Sequence, residues 1–176
     1  PQYFDEPLKH SAKLSRLFTD INEIQSSGEK ALVSCEWVDL GTKITCLAKS
    51  ELGLQSWTIN GSTPAKERLE IVDRYSSCQS SALLTINPKA AGFGLNIQAA
   101  SHVFHYTLPW NPAVEDQVTK RALRIGQQRP VVRHRPYYVD TIDEVMWDLM
   151  ISKRQLFNDL VPENDKIPPI DVLNKI

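Results

Sequence analysis

Cysteine is scarce: Cys35, Cys46 and Cys78 are odd in number and widely separated in a chain of 176 residues, with no Cys-x-x-Cys pair. That argues against a disulfide framework or a cysteine zinc site and reads as reduced, packed thiols of an intracellular protein. His10, His102, His105 and His134 show no metal-ligand spacing, so no metal site is expected. No apolar run reaches membrane length and no secretory leader is visible, so no membrane partner is expected. A Gly-Lys-Ser/Thr phosphate loop is missing too; Gly41-Thr42-Lys43 has the order reversed. The acidic pairs Asp5-Glu6 and Asp143-Glu144 do not follow buried strands, so neither looks like a magnesium-holding pair. Charge of one sign is not in excess, since 20 Lys and Arg face 21 Asp and Glu, and the total is silent about a polyanionic partner. The chain opens at Pro1 without Met and is read as a piece of something longer.

What is present is an ordinary globular composition, 41% hydrophobic and 23% charged, enough for one domain with a substantial core. Apolar residues at Leu14, Leu17, Phe18, Ile21 and Ile24 predict a helix over 8–25. Short apolar runs predict strands over 31–35, 54–59, 82–86, 102–107 and 131–139. Helices are expected over 38–52, from Thr63 to about 75, from Asn111-Pro112 onward, and over 141–160. Thr63 is read as a helix cap with Pro64 at the first helical position, and Thr141 to Glu144 as a capping box. Strands alternating with helices imply βαβ units and a doubly wound, mainly parallel α/β sheet covered on both faces. Ligands of such sheets sit beyond the carboxyl ends of strands, which singles out the loops after Ile59, Ile86 and Thr107. Residues 162–176 have no clear period and are read as a tail or linker.

The densest stretch is 87–128. Lys89 to Asn96, KAAGFGLN, is a glycine-rich turn carrying Gly92 and Gly94 but not the third glycine of a dinucleotide fingerprint; taken alone it is more often a tight packing turn. Downstream, Gln117, Arg121 and Arg124 are offset by four and three, which on a continuous helix places them on one face. Arginines there could reach the phosphates of a nucleotide held by a neighbouring domain, or simply form surface ion pairs. Around them, 117–139 holds no acidic residue but contains Lys120, Arg121, Arg124, Arg129, Arg133 and Arg135, a local basic patch. Gly61-Ser62-Thr63 is either a turn and cap or a phosphate site at a helix N-terminus. Trp37, Phe93 and Trp110 are read as packing residues.

Several of these pieces, in this order, resemble the second motor lobe of the Swi/Snf-like ATPases, a branch of superfamily-two helicases. They are Ala31-Leu32-Val33-Ser34, the segment from Gly61 to Arg68, the Lys89 to Asn96 turn, the segment from Trp110 to Gln117, and the segment from Arg121 to Gln127. The resemblance covers about 14–161 and implies a RecA-like fold, with 1–161 as the helicase C-terminal lobe and 141–160 as its brace helix. It implies ATP and magnesium as cofactors, bound mainly by an N-terminal RecA-like lobe that this chain does not contain. It further implies that Arg124 is the arginine finger, that Arg121 is a second phosphate contact, and that Gln117, Gly92 and Gly94 lie at the nucleotide. Gly61, Ser62, Asn87 and Lys89 would contact a DNA backbone. The chain departs from the family where Asn87-Pro88 replaces a small hydroxyl pair, Ala91 a glycine and Leu123 a histidine.

The expected activity is therefore half of an ATP-hydrolysing motor, inactive alone, that translocates on double-stranded DNA without separating its strands. The alternative is a non-catalytic DNA- or protein-binding lobe descended from such a motor. An unrelated enzyme acting on a phosphorylated small molecule would need a catalytic pair that the sequence does not offer. The expected compartment is the cytoplasm or nucleoid of a prokaryote, or the nucleus of a eukaryote.

Overall fold

The computed structural model describes residues 11–160 and 170–175. In chain order its elements are α1 (Ala12–Ser26), β1 (Ala31–Ser34), α2 (Val38–Leu52), β2 (Gln55–Ile59), α3 (Ala65–Ser77) and β3 (Ala82–Ile86). A 3-10 turn (Pro88–Phe93), β4 (His102–His105), α4 (Pro112–Ala122), β5 (Val132–Tyr137), α5 (Ile142–Leu160) and β6 (Ile170–Lys175) follow. All six strands are parallel, in the order β2-β3-β1-β4-β5-β6.

Side-chain alternation along the strands decides which helix goes to which face. Leu32, Leu84 and Val103, in register across β1, β3 and β4, pack with Ile71, Val72 and Tyr75 of α3 and Val118 and Ala122 of α4. Their sequence neighbours Val33, Leu83 and Phe104 point the other way, to Leu17 and Ile21 of α1 and Ile44 and Ala48 of α2. With both faces covered, the central strands read as unbroken apolar runs in the sequence. Ser11 accepts the Leu14 amide at 3.3 Å to start α1, and Gly53, at φ 62°, stops α2 in a left-handed conformation that costs a glycine little.

Several expectations need correction. Residues 170–175, read as tail, add a sixth strand beside β5; the short alternation of Ile170 and Val172 with polar residues was too brief to signal it. Helix α3 begins one residue later than predicted, with Pro64 at the capping position. Thr63 faces away from it, its hydroxyl accepting the Asn60 amide at 3.1 Å. At α5 the Glu144 carboxylate accepts the Asp140 amide at 2.8 Å, one residue before the predicted box partner. Cys46 is exposed, so only Cys35 is a fully packed thiol. Trp37 and Trp110 are 67% and 62% exposed, so their rings do not serve as packing residues; the Phe93 side chain is outside the described residues. On α5, Met146 and Met150 are buried against Leu108 and Tyr137, while Ile142, Val145, Leu149 and Leu156 remain exposed. Among the described residues no helix is long and apolar enough to cross a membrane.

Candidate nucleotide and nucleic-acid site

Loops at the carboxyl ends of β2 and β3 lie side by side because those strands are neighbours, and the Asn87 amide donates to the Ile59 carbonyl at 2.9 Å. In the first loop the Asn60 side-chain oxygen accepts both the amide (3.0 Å) and the hydroxyl (2.6 Å) of Ser62. From α3, the Arg68 guanidinium donates to the carbonyls of Thr63 (2.7 Å) and Gly61 (3.2 Å). Gly61 and Ser62 are exposed on this braced turn, and a side chain at Gly61 would meet nothing. Arg68 as organiser was missed, although it stands inside the quoted motif; a buried arginine five residues beyond a turn is a signal that sequence reading does not weigh.

In the second loop Asn87 does structural work. Its side-chain oxygen accepts the Lys89 amide at 3.0 Å and its side-chain nitrogen donates to the Glu36 carbonyl at 2.7 Å. That leaves Lys89, exposed on the 3-10 turn, as the charged group the loop offers outward. Gly92 lies within this turn and Gly94 closes it at φ 72°. The turn packs against α4, and the chain leaving it is pinned there by the Ile97 amide, which donates to the Arg121 carbonyl at 2.9 Å.

Asn111 caps α4 by accepting the Ala113 amide at 3.0 Å, with Pro112 in the first turn as expected. The helix ends at Ala122, earlier than the sequence suggested. Gln117 and Arg121 share a face, but Arg124 sits past the C-cap Leu123, in a turn where its amide donates to Ala122 (3.1 Å) and its carbonyl accepts from Gln127 (3.0 Å). The predicted single face for all three side chains does not form. The Gln127 side chain holds this turn by donating to the carbonyls of Gln98 (2.8 Å) and Ala100 (2.9 Å). Gly126, at φ 104°, lets the backbone fold back there.

This corner is not at the carboxyl ends of the strands. Residues 97–101 run toward the start of β4, where Ser101 bonds to Lys30 just before β1 and Val132 bonds to Ser101. The candidate residues are therefore not gathered at one end of the sheet, as the expectation of a single functional side had it. Gly61, Ser62 and Lys89 lie at one end, and Arg121 and Arg124 near the other, because a helix after a parallel strand runs back along the sheet.

Electrostatics set the arginine pair apart. Burial, and then the neighbouring Arg124 charge, lower the pKa of Arg121, so the two guanidinium groups are close and mutually repelling. Arg121 Nε is buried with no hydrogen-bond partner, and among the described residues neither Arg121, Arg124 nor Lys120 makes an ion pair. The basic patch read from the sequence does not survive as a unit. Arg133 and Arg135 are buried and paired with Asp116 (3.5 Å) and Glu115, and Arg129 lies 3.6 Å from Glu29. Among the described residues no group of three His, Cys, Asp or Glu is arranged to hold a metal.

At its beginning α4 is anchored by a buried polar cluster around Glu115. Its carboxylate accepts from Arg135 Nε and from Arg154 at 2.8 Å; Arg154 also reaches Asp116 at 2.7 Å. Burial raises the Glu115 pKa, but the facing His105 together with the Arg135 and Arg133 charges outweighs it and brings it down to about 2. His105 is kept neutral by burial, with its pKa down to about 3. Because the Thr119 hydroxyl donates to the Glu115 carbonyl (3.1 Å), it accepts from His105 Nε2 (3.0 Å), which fixes the tautomer.

The model of the helicase conserved C-terminal domain matches residues 10–126. The chain belongs to that family. The SWI2/SNF2 ATPase core of Sulfolobus solfataricus in complex with dsDNA superposes with a TM-score of 0.71 at 33% identity, covering 88% of this chain and 32% of that one. YwqA of Bacillus subtilis is 35% identical over 155 residues, 88% of this chain and 17% of that protein. The DNA repair and recombination protein RAD54B of Gallus gallus is 35% identical over 145 residues, 81% of this chain and 16% of that protein. The helicase C-terminal domain seen here is thus a RecA-like lobe of the Swi/Snf kind, and it spans less than a fifth of the length of those two relatives.

Proposed function

We propose that this helicase C-terminal domain is the second motor lobe of a DNA-dependent ATPase that translocates on duplex DNA. The observation that carries the reading is the close pair of Arg121 and the exposed Arg124, neither of which makes an ion pair among the described residues. Two close guanidinium groups with no carboxylate beside them repel each other, and a phosphate is the chemistry that relieves the repulsion. These residues fit a polyphosphate. Arg124 serves as the finger, Arg121 as the second contact, and Gln117 with the Gly92–Gly94 turn borders the nucleotide. ATP with magnesium supplies the phosphoryl group, and an N-terminal RecA-like lobe of the same protein holds most of it. Charge stabilisation by such fingers is worth roughly 10³–10⁵ in rate.

At the other end of the sheet Lys89, Gly61 and Ser62 grip a DNA backbone, with Asn87 shaping the turn that presents Lys89. Closing and opening of the two lobes shifts this grip in step with the nucleotide. Backbone contact carries no sequence information, so target choice lies in other domains. The exposed Trp37 and Trp110 weaken the argument against base stacking. The preference for duplex therefore rests on the likeness to a core solved with dsDNA. A compartment holding DNA goes with this reading.

The test uses the complete protein. Duplex DNA should stimulate ATP turnover and drive triplex displacement without forked-substrate unwinding, and the present chain alone should hydrolyse nothing. Unwinding without triplex displacement would make the protein a strand-separating helicase. No ATP turnover under any DNA condition would leave a non-catalytic binding lobe.

A further inference from the structure

We propose that α5 latches α4, with Arg154 as a positioning residue that sets where Arg121 and Gln117 stand; the catalytic side of this inference rests on the function proposed above. Two adjacent side chains of α5 reach α4 and the loop before it. Lys153 Nζ donates to the Trp110 carbonyl at 2.8 Å. Arg154 spans both carboxylates of the first turns of α4, with its two terminal nitrogens at 2.7 and 3.2 Å from Asp116 and one of them at 2.8 Å from Glu115.

The clamp matters because of what α4 otherwise rests on. Among the described residues the buried apolar side chains of α4 that meet the sheet are Val118 and Ala122, one turn apart on a helix of eleven residues, with Thr119 bonded to His105 beside them. Rotation about the helix axis is resisted by charge pairing at the start of the helix, which Arg135 and Arg133 of β5 share with Arg154. Arg154 approaches at Glu115 and Asp116, adjacent positions about 100° apart around the axis, so a bidentate grip on both resists that rotation. Gln117 follows directly and Arg121 one turn later, and both turn with the helix as a rigid body.

Glu115 could not be left to Arg135 alone, because it is wholly buried and its second oxygen would then lack a partner. Arg135 also lies with its guanidinium carbon 5.3 Å from the centre of the Trp147 ring, so α5 packs on one partner of Glu115 and supplies another. The position of α5 is thus written into α4 through charge. Any movement of α5 that withdraws Arg154 takes a partner from the buried Glu115 and from Asp116, loosens the start of α4 and shifts the place of Arg121.

The experiment compares wild type, Arg154→Met and Arg154→Lys in the complete protein, by amide hydrogen exchange and by steady-state ATP turnover. Arg154→Met should speed exchange at least tenfold across 115–122, leaving the strands of the sheet unchanged. It should lower kcat at least tenfold with KM for ATP and DNA affinity within twofold, and Arg154→Lys should recover part of both. Unchanged exchange over 115–122 would overturn the latch. Exchange that quickens uniformly across the sheet would also overturn it, by making Arg154 a plain stability residue. If exchange responds as stated while the wild type shows no ATP turnover, the latch stands and the motor reading fails.

Discussion

The two ends of α4 are built in opposite ways. At its start, Glu115 and Asp116 are engaged by Arg154 with further pairing to Arg135 and Arg133, and Glu115 is completely buried. At its finish, Arg121 keeps a buried nitrogen with no partner among the described residues, and Arg124 stands exposed beyond the helix. One end has its charge balanced within the fold; the other holds unbalanced positive charge in a fixed place. A protein that only needed a stable helix would pair both ends. The difference marks the start of α4 as the anchor and, on the function proposed above, its end as the part that would meet a phosphate.

The largest expected effect breaks the free end. Arg124→Ala in the complete protein should lower ATP turnover by about 10³-fold or more while DNA affinity stays nearly constant, because a finger acts on the transferring phosphoryl group. Parallel loss of DNA binding, measured by titration at fixed salt, would show Arg124 to be a DNA contact or a folding residue.

Breaking the anchored end should act on stability first. Glu115→Gln removes the charge facing Arg135 and Arg154 in a buried setting and should cost about 3 kcal/mol or more in denaturant unfolding. A loss under about 1 kcal/mol would mean that the cluster tolerates unbalanced charge and that the contrast between the two ends is only apparent.

Two buried histidines, His105 in this cluster and His134 beside His102 and Phe104, also predict a pH dependence. His105 and His134 have pKa values lowered by burial to about 3, so the unfolded chain takes up protons that the folded chain refuses. Stability is full above the ordinary histidine value near 6.5 and is lost as pH falls from there toward 3, with a slope approaching about 2–3 kcal/mol per pH unit for two groups. Glu115, depressed to about 2, adds to this loss below the ordinary carboxylate range. Asp20, whose carboxyl is pushed up by burial, works the other way and trims the slope. Urea midpoints measured from pH 7 to 4 check it; a flat profile would mean that the histidines protonate in place.

The smallest expected effect sharpens the contrast with the carboxyl-end loops. Lys89→Ala should weaken DNA binding modestly and make the logarithmic salt slope shallower by about 0.9, one phosphate contact, with ATP turnover at saturating DNA little changed. An unchanged slope would take Lys89 off the DNA path and leave the β2–β3 loops without a charged contact.

Much of the fold was legible in the residues themselves. The apolar runs 31–35 and 82–86 and the helix 38–52 were read almost to the residue, because buried parallel strands and an amphipathic helix write their periods directly into local composition. Gln117 and Arg121 on one face followed from spacing, and the ordered motifs were enough to name a RecA-like lobe of the Swi/Snf kind. Three things lay beyond local sequence. Arg124 left the helix because the turn at 123–127 is held by Gln127 reaching back to Gln98 and Ala100, contacts nearly thirty residues away. The six-cation patch dissolved because Arg133 and Arg135 point inward from β5 to carboxylates on α4, and charge counting does not know which way a side chain points. The placement of Lys89 and of the Arg121–Arg124 pair at opposite ends of the sheet came from α4 running back along the strands. The local period of a segment is a property of the chain, whereas the partner of a charge is a property of the packed fold.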